Sequence, residues 1–170
     1  MKVLGIDPGT AVLGYGVVEG GRGPHPRLVE CGTLTTVARD PLPARLRMIH
    51  DGIGALIARH APDAMAVESA FYGKNVHTTV VLSHARGVIL LAAEEARTPV
   101  AEYSPAQVKK AVVGRGAALK PQVAYMIAQL LRLKVPPSPS DAADGVAVAL
   151  THLLLTTRQA GFFRPASSAR

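Results

Sequence analysis

The sequence is poor in several residue types, and each shortage excludes a class of protein. Its 170 residues include one cysteine, Cys31, so an intrachain disulfide framework is excluded and a reducing compartment is indicated. There is no tryptophan, and aromatic residues make up only 4% of the chain. Acidic residues are also scarce, because twelve Asp and Glu stand against nineteen Lys and Arg, for a net charge of +7. This balance favours an anionic partner, with nucleic acid ahead of an acidic membrane.

Long apolar runs are missing as well. The longest stretch without Asp, Glu, Lys or Arg is Gly145–Thr157, thirteen residues, whereas a membrane-spanning helix needs about 20 mainly apolar residues. Asp7 and Pro8 interrupt the first apolar run too early for a signal peptide. The chain is nevertheless 48% hydrophobic and 18% charged, which is enough to build a packed core. We therefore expect one cytoplasmic domain with no membrane partner.

The order of apolar segments predicts an α/β fold. Three strands come first without a helix between them, helices and strands then alternate, and the chain ends in helices. The predicted strands are 2–7, 12–18, 27–36, 64–68 and 99–103, and the predicted helices are 43–60, 75–97, 105–113, 121–133 and 138–157. Three antiparallel strands followed by two parallel ones would form a five-stranded mixed sheet flanked by helices. This domain would occupy residues 1–157, followed by a basic, disordered tail at 158–170.

Four of the twelve acidic residues occupy positions that suit a metal site. Asp7 and Glu68 each end an apolar strand, where ligands collect in α/β sheets. Asp141 and Asp144 are three residues apart, hence on one face of the last helix, and that face continues into an apolar stripe. Carboxylates beside a buried stripe repel each other and lose hydration, a penalty that a divalent cation would remove. Oxygen ligands on a rigid scaffold suit Mg²⁺ or Mn²⁺ better than zinc.

Most of these acids also have an ordinary structural interpretation. Asp7 precedes a Pro-Gly turn and could be a turn residue, and Glu68 could simply face solvent. Ser138 and Asp141 resemble parts of a capping box, and an acid in the first turn of a helix interacts favourably with its dipole. Asp144 lies too far along the helix for that role. From the residues alone, the metal site and the structural roles both stay open.

The positive charge is concentrated in one segment. No Asp or Glu occurs between Tyr103 and Ser140, and this segment supplies six of the net positive charges. Its cations are Lys109, Lys110, Arg115, Lys120, Arg132 and Lys134. Contact with phosphate is the economical interpretation, since each neutralised phosphate releases a counterion from DNA, and a solvated surface is the alternative. Phe71, just beyond Glu68 in a loop, could fill the core or stack on an unpaired base.

Four segments of the chain resemble the bacterial RuvC crossover-junction endodeoxyribonuclease family. They are GIDPGTAVLGYGVVE, AVESAFYGKN, QVKKAVVGRGAALKPQV and SDAADGVAVALTH, which follow one another between residue 2 and about residue 155. The third and fourth are the specific ones, because the first also opens sugar-kinase and actin-like ATPases. The resemblance implies a ribonuclease-H-like fold, a homodimer and Mg²⁺-dependent resolution of Holliday junctions. Two Mg²⁺ ions per active site are expected, with Mn²⁺ as a substitute.

The resemblance also assigns roles to individual residues. The catalytic and metal-binding positions fall on Asp7, Glu68, Asp141 and Asp144. Contacts with the four-way DNA junction fall on Lys109 and Lys120, and a base-stacking role falls on Phe71. Paired symmetric nicks by two-metal hydrolysis would leave 5′-phosphate and 3′-hydroxyl ends. The RuvA and RuvB branch-migration proteins are the further partners that the resemblance implies.

The sequence departs from the family pattern at two places, and two other functions stay open. Gly145 stands where an Ala is usual, a change that costs a helix interior up to about 1 kcal/mol. The residues around Lys120 are less polar than is typical of the family. One alternative is another ribonuclease-H-like nuclease that cuts RNA in hybrids. The other is a non-catalytic basic DNA-binding module, which would leave the four acids without a role.

Overall fold

The computed structural model describes residues 1–21, 25–69 and 76–159. Its elements are β1 (Lys2–Asp7), β2 (Val12–Glu19), β3 (Arg27–Thr35), α1 (Leu42–His60), β4 (Ala64–Glu68), α2 (Val76–Glu95), β5 (Val100–Tyr103), α3 (Pro105–Val113), α4 (Lys120–Leu131) and α5 (Ser140–Gln159). The strands form one sheet in the order β3-β2-β1-β4-β5. The predicted five-stranded mixed sheet is confirmed.

The pairing of the strands brings three carboxyl ends to one edge of the sheet. β1 and β2 pair antiparallel, as do β2 and β3, whereas β4 runs parallel to both β1 and β5. Ile6 is in register with Val67, so Asp7 and Glu68 follow at neighbouring positions. Glu68 is itself in register with Tyr103 at the end of β5. This edge is where ligands bind in α/β sheets.

Helices cover both faces of the sheet, and the alternation of strand side chains decides which face each residue serves. Leu4 and Ile6 of β1 pack into the core that α1 and α2 build on one face. Val3 of β1 and Ala66 of β4 pack into the core that α3, α4 and α5 build on the other. Asp7 and Glu68 continue these latter two rows, so both belong to the face covered by α5.

Glycines let α5 lie directly on β1 and β2. A Cβ atom at Gly14 would lie 1.8 Å from the carbonyl oxygen of Asp141, and one at Gly145 would lie 2.5 Å from the Cα of Tyr15. Real side chains do not fit at such distances, so both positions require glycine. The close approach explains why a helix tolerates Gly145 despite its low helical propensity, and it brings the acids of α5 towards β1.

Several helix ends differ from the predicted ones. α5 begins at Ser140 rather than Ser138, because Pro139 disfavours helical geometry at the residue before it. Ser138 therefore lies outside the helix and is no N-cap, whereas Asp141 lies in the first turn. α5 also continues to Gln159, so the first two residues of the predicted tail are helical, and residues 160–170 lie outside the described ones.

α2 has an exposed apolar surface. Among the helices that the structure describes, it is the one long and apolar enough to cross a membrane, and 22% of the relevant window is buried. Such a helix is weak support for a membrane span. α2 also connects two parallel strands of one sheet and packs against α1, so it lies beside the sheet as a crossover helix.

Candidate active site

Three of the four predicted acids meet in one pocket at the carboxyl edge of the sheet. Asp7 comes from the end of β1, Glu68 from the end of β4 and Asp144 from the second turn of α5. The remaining lining residues are Pro105, Val108, Lys109, Lys120, Val123 and Ala147. Acidic residues that are up to 137 positions apart in the sequence therefore meet in one site, which we call the acidic pocket.

The acidic pocket makes ionisation of its carboxyl groups unfavourable. Burial raises the pKa of Asp7 from its ordinary value of 3.8 to about 6, with further contributions from the negative charges of Asp144 and Asp141. Burial likewise raises the pKa of Glu68 to about 7, and the charges of Asp7 and Asp144 add to this effect. Lys120 opposes both shifts without cancelling them. The pocket thus holds negative charge that its own cations do not neutralise.

Two lysines reach the acidic pocket from the helices that cover it. Lys120, the first residue of α4, donates from Nζ to Oδ2 of Asp144 over 2.8 Å. This contact and the charge of Asp144 raise the pKa of Lys120. The Lys120 side chain is 74% exposed, whereas Asp144 is 25% exposed, so the lysine can leave the pair by rotation into solvent. Lys109 on α3 lines the same pocket.

Asp141 lies outside the lining of the acidic pocket. It lies one helical turn before Asp144 on α5. Its charge nevertheless raises the pKa of Asp7 and that of Lys120. The structure therefore brings Asp7, Glu68 and Asp144 together and places Asp141 within electrostatic reach of them.

The donor set of the acidic pocket fits a hard divalent cation. Carboxylate oxygens are the ligands that Mg²⁺ and Mn²⁺ prefer, and the raised pKa values of Asp7 and Glu68 report charge that a cation would neutralise. In residues 1–21, 25–69 and 76–159, no three acidic, histidine or cysteine side chains are close enough to enclose an ion in their present rotamers. Lys120 occupies one carboxylate oxygen of Asp144, Oδ2.

Two of the three residues predicted to contact DNA line the acidic pocket. These two residues are Lys109 and Lys120. Phe71, predicted to stack on a base, lies outside the described residues. Cys31 is half-buried and packs beside the core on the α5 face, in keeping with a structural role.

The apolar wall of the pocket escaped the sequence-based prediction. Pro105, Val108, Val123 and Ala147 surround the carboxyl groups and cause the desolvation that shifts their pKa values. Their helical spacing showed that they belong to apolar helix faces. It could not show that three different helices turn those faces towards one strand edge.

The fold is ribonuclease-H-like. Its sheet has three antiparallel strands followed by two parallel ones, and helices cover both faces. Solved structures agree. The Thermus thermophilus RuvC structure superposes with a TM-score of 0.85 at 39% sequence identity, covering 95% of this chain and 98% of that one. The T. thermophilus RuvC in complex with a Holliday junction substrate gives a TM-score of 0.88 at 38% identity, covering 95% and 97%.

Sequence comparison specifies the family within this fold. The family model "Crossover junction endodeoxyribonuclease RuvC" matches residues 3–152. A RuvC of Syntrophomonas wolfei is 49% identical over 153 residues, which cover 90% of this chain and 88% of that protein. The chain belongs to the RuvC crossover junction endodeoxyribonuclease family. Members of this family are nucleases, and their chemistry implies a divalent metal ion.

Proposed function

We propose that this protein is an endonuclease that resolves Holliday junctions by paired symmetric nicks. The observation that carries the proposal is the acidic pocket, where Asp7, Glu68 and Asp144 meet Lys109 and Lys120 at one strand edge. Carboxylates next to a DNA phosphate are unfavourable unless a cation lies between them. A site with both acids and lysines therefore suits metal-dependent hydrolysis of a phosphodiester.

In this proposal the acids hold the metal. Asp7, Glu68, Asp141 and Asp144 would bind two Mg²⁺ ions, with Mn²⁺ as a substitute. When bound, such ions lower the pKa of a water molecule and stabilise the leaving oxygen of an in-line displacement, which gives 5′-phosphate and 3′-hydroxyl ends. Because Asp7 and Glu68 have raised pKa values, they would release bound protons as the cations enter.

The lysines bind and orient the phosphate in this proposal. Lys120 would leave Asp144 and turn towards a non-bridging oxygen of the phosphate, which its exposure allows. Lys109 would contact the same backbone from α3. The apolar wall formed by Val108, Val123 and Ala147 would exclude bulk water and so strengthen these charge interactions.

The exposed side of α2 supports a homodimer. Val76 is 75% exposed, Val80 is 48% exposed and Leu91 is 50% exposed, although all three are large apolar residues of this helix. A groove on the same side continues this surface and is lined by Leu46 and Val88 among others. A twofold axis through α2 would cover it and place two equal sites on strands of equal polarity, as paired nicks require. Family membership further suggests a cytoplasmic protein that works with RuvA and RuvB.

The proposal is tested with a panel of a synthetic four-way junction, an RNA–DNA hybrid and a linear duplex, each incubated with and without Mg²⁺. We expect Mg²⁺-dependent, symmetric nicking of the junction, and Asp7→Asn should bind the junction without cutting it. Asp51→Asn is the matched control, because Asp51 is an exposed acid on α1 that pairs with Arg47. Preferred cutting of the hybrid would favour the first alternative. Binding without metal-dependent cutting, or cutting that survives Asp7→Asn, would contradict the proposal.

A further inference from the structure

A hydrogen bond between Tyr103 and His152 joins the sheet to α5 outside the lining of the acidic pocket. Tyr103 is the last residue of β5, and its Oη lies 2.8 Å from Nδ1 of His152 on α5. The two rings also meet edge to face, with centroids 5.9 Å apart. Neither residue lines the acidic pocket, and neither has a role in the function proposed above.

The protonation of this pair follows from its burial. His152 is only 8% exposed, and burial lowers its pKa, so the imidazole is neutral near pH 7. Burial raises the pKa of Tyr103, so its hydroxyl keeps the proton. Tyr103 therefore donates and Nδ1 accepts, which assigns the imidazole hydrogen to Nε2. A neutral hydrogen bond of this kind fixes the positions of both side chains.

Tyr103 lies beside Glu68 in the sheet, whereas His152 stands on the same helix as Asp141 and Asp144. Tyr103 is the register partner of Glu68, and its carbonyl oxygen accepts from the backbone N–H of Ser69 over 2.8 Å. Tyr103 thus holds the backbone directly after Glu68. His152 lies eight residues beyond Asp144 on the same helix, about 12 Å along the axis at 1.5 Å per residue.

We propose that Tyr103 and His152 are positioning residues that set Glu68 of β4 at the correct distance from Asp141 and Asp144 of α5. The inference rests on the proposed metal-dependent nuclease function. Glu68 stands on a strand, whereas Asp141 and Asp144 stand on a helix that could slide along or rotate above the sheet. The glycine contacts of α5 fix it against β1 and β2. The Tyr103–His152 hydrogen bond fixes it against the β4–β5 side, where Glu68 lies.

The test removes the hydrogen bond while keeping the packing. Tyr103→Phe deletes only the hydroxyl, and we expect kcat for junction cutting to fall by about 10-fold, the lower end of the range for groups that bond metal ligands directly, because Tyr103 acts on Glu68 through the backbone. The Mn²⁺ concentration for half-maximal cutting should rise, while the Kd for the junction without metal stays unchanged. Binding of Mn²⁺ to the protein, followed by the electron paramagnetic resonance of free Mn²⁺, should weaken in parallel.

Two further variants separate positioning from general stability. Thr151→Val is the matched control, because Thr151 is fully buried beside His152 and donates to the carbonyl oxygen of Ala147. It should lower Tm as much as Tyr103→Phe does and leave the Mn²⁺ dependence unchanged. His152→Gln keeps an acceptor for Tyr103 and should retain more activity than His152→Leu.

The outcomes distinguish this inference from the proposed function. Equal Mn²⁺ dependence of Tyr103→Phe and Thr151→Val, or Mn²⁺ binding by Tyr103→Phe as tight as that of the unsubstituted protein, would overturn the positioning role. The unsubstituted protein in the same assay tests the nuclease function separately. If it does not cut the junction, the proposed function fails, whereas the Mn²⁺ binding measurements still decide whether Tyr103 organises the acids.

Discussion

At the scale of single residues, burial decides the chemistry of the acidic pocket. Asp7 is an ordinary carboxylic acid in sequence, yet it lies among apolar side chains and next to Asp144, so its pKa rises to about 6. The same causes raise the pKa of Glu68 to about 7. A protein that only had to fold would gain stability by losing one of these charges. Their presence is best explained by a ligand that neutralises them.

The raised pKa of Asp7 predicts that the stability of the folded protein depends on pH. Asp7 has a folded-state pKa above its ordinary value of 3.8, so the metal-free protein loses stability as the pH rises from about 4 through 6. Asp7→Asn removes this loss. In the presence of a chelator, we expect the variant to be more stable at pH 8, by on the order of 2 kcal/mol, and the difference to shrink towards pH 4. Urea denaturation at several pH values measures it.

Asp51→Asn serves as the control, because the pKa of Asp51 is shifted in the opposite direction to that of Asp7. The pKa of Asp51 is lowered by hydrogen bonds from His50 and Arg47, so its ionised form stabilises the folded state above its ordinary pKa. Removing that charge should leave stability at pH 8 unchanged or slightly reduced. An equal gain in the free energy of unfolding from both substitutions would show that the charge of Asp7 does not itself destabilise the folded protein.

At the scale of elements, the contact between α5 and the first hairpin places the acids of the helix. Gly14 lies opposite Asp7 in the β1–β2 register, and the carbonyl oxygen of Asp141 lies on it. Larger residues at Gly14 or Gly145 would push the helix away from the sheet. The acids at its N-terminal end would then move away from Asp7.

Gly14→Ala is therefore expected to lower both stability and cutting. An added Cβ would lie 1.8 Å from the carbonyl oxygen of Asp141, so the helix must shift, and overpacking of this kind costs about 1 to 3 kcal/mol or more. Gly54→Ala is the matched control, since nothing lies within 4 Å of its Cβ position on α1. That control should gain about 0.5 to 1 kcal/mol in thermal denaturation. A neutral effect of Gly14→Ala would contradict the close packing.

At the scale of the whole molecule, charge and apolar surface are separated. The six cations between Tyr103 and Ser140 belong to α3, α4 and their connections, two of them at the acidic pocket. The exposed apolar residues of α2 belong to the opposite face of the sheet from α5. One surface therefore suits DNA, and another suits a second copy of the chain.

The proposed dimer predicts the effect of a charge on α2. Val80 is 48% exposed on the groove side of this helix, so Val80→Lys should cost the monomer little and oppose association. Sedimentation equilibrium should show a shift towards monomer, with junction nicks no longer paired. Val135→Lys is the control, because Val135 is 71% exposed outside α2. A dimer unaffected by Val80→Lys, or lost equally in both variants, would exclude α2 as the interface.

Sequence periodicity and the order of the elements predicted the sheet, its mixed pairing and every element end to within two residues. Such features depend on local alternation of apolar residues, which is visible in one dimension. Both ends of α5 lie two residues later than predicted, because Pro139 delays its start and because the composition of residues 158–159 resembled a tail although the helix continues through them. The resemblance of four segments to RuvC, which was available from the sequence, also indicated the four acids.

Other properties were decided only by the tertiary structure. That Asp7, Glu68 and Asp144 share a pocket depends on parallel pairing of β1 with β4 and on α5 lying against glycines. The raised pKa values and the Lys120–Asp144 ion pair follow from that convergence. The sequence by itself determined which acids were available and on which elements they stand. Their distances, desolvation and mutual repulsion are through-space quantities, which exist only once distant segments have packed together.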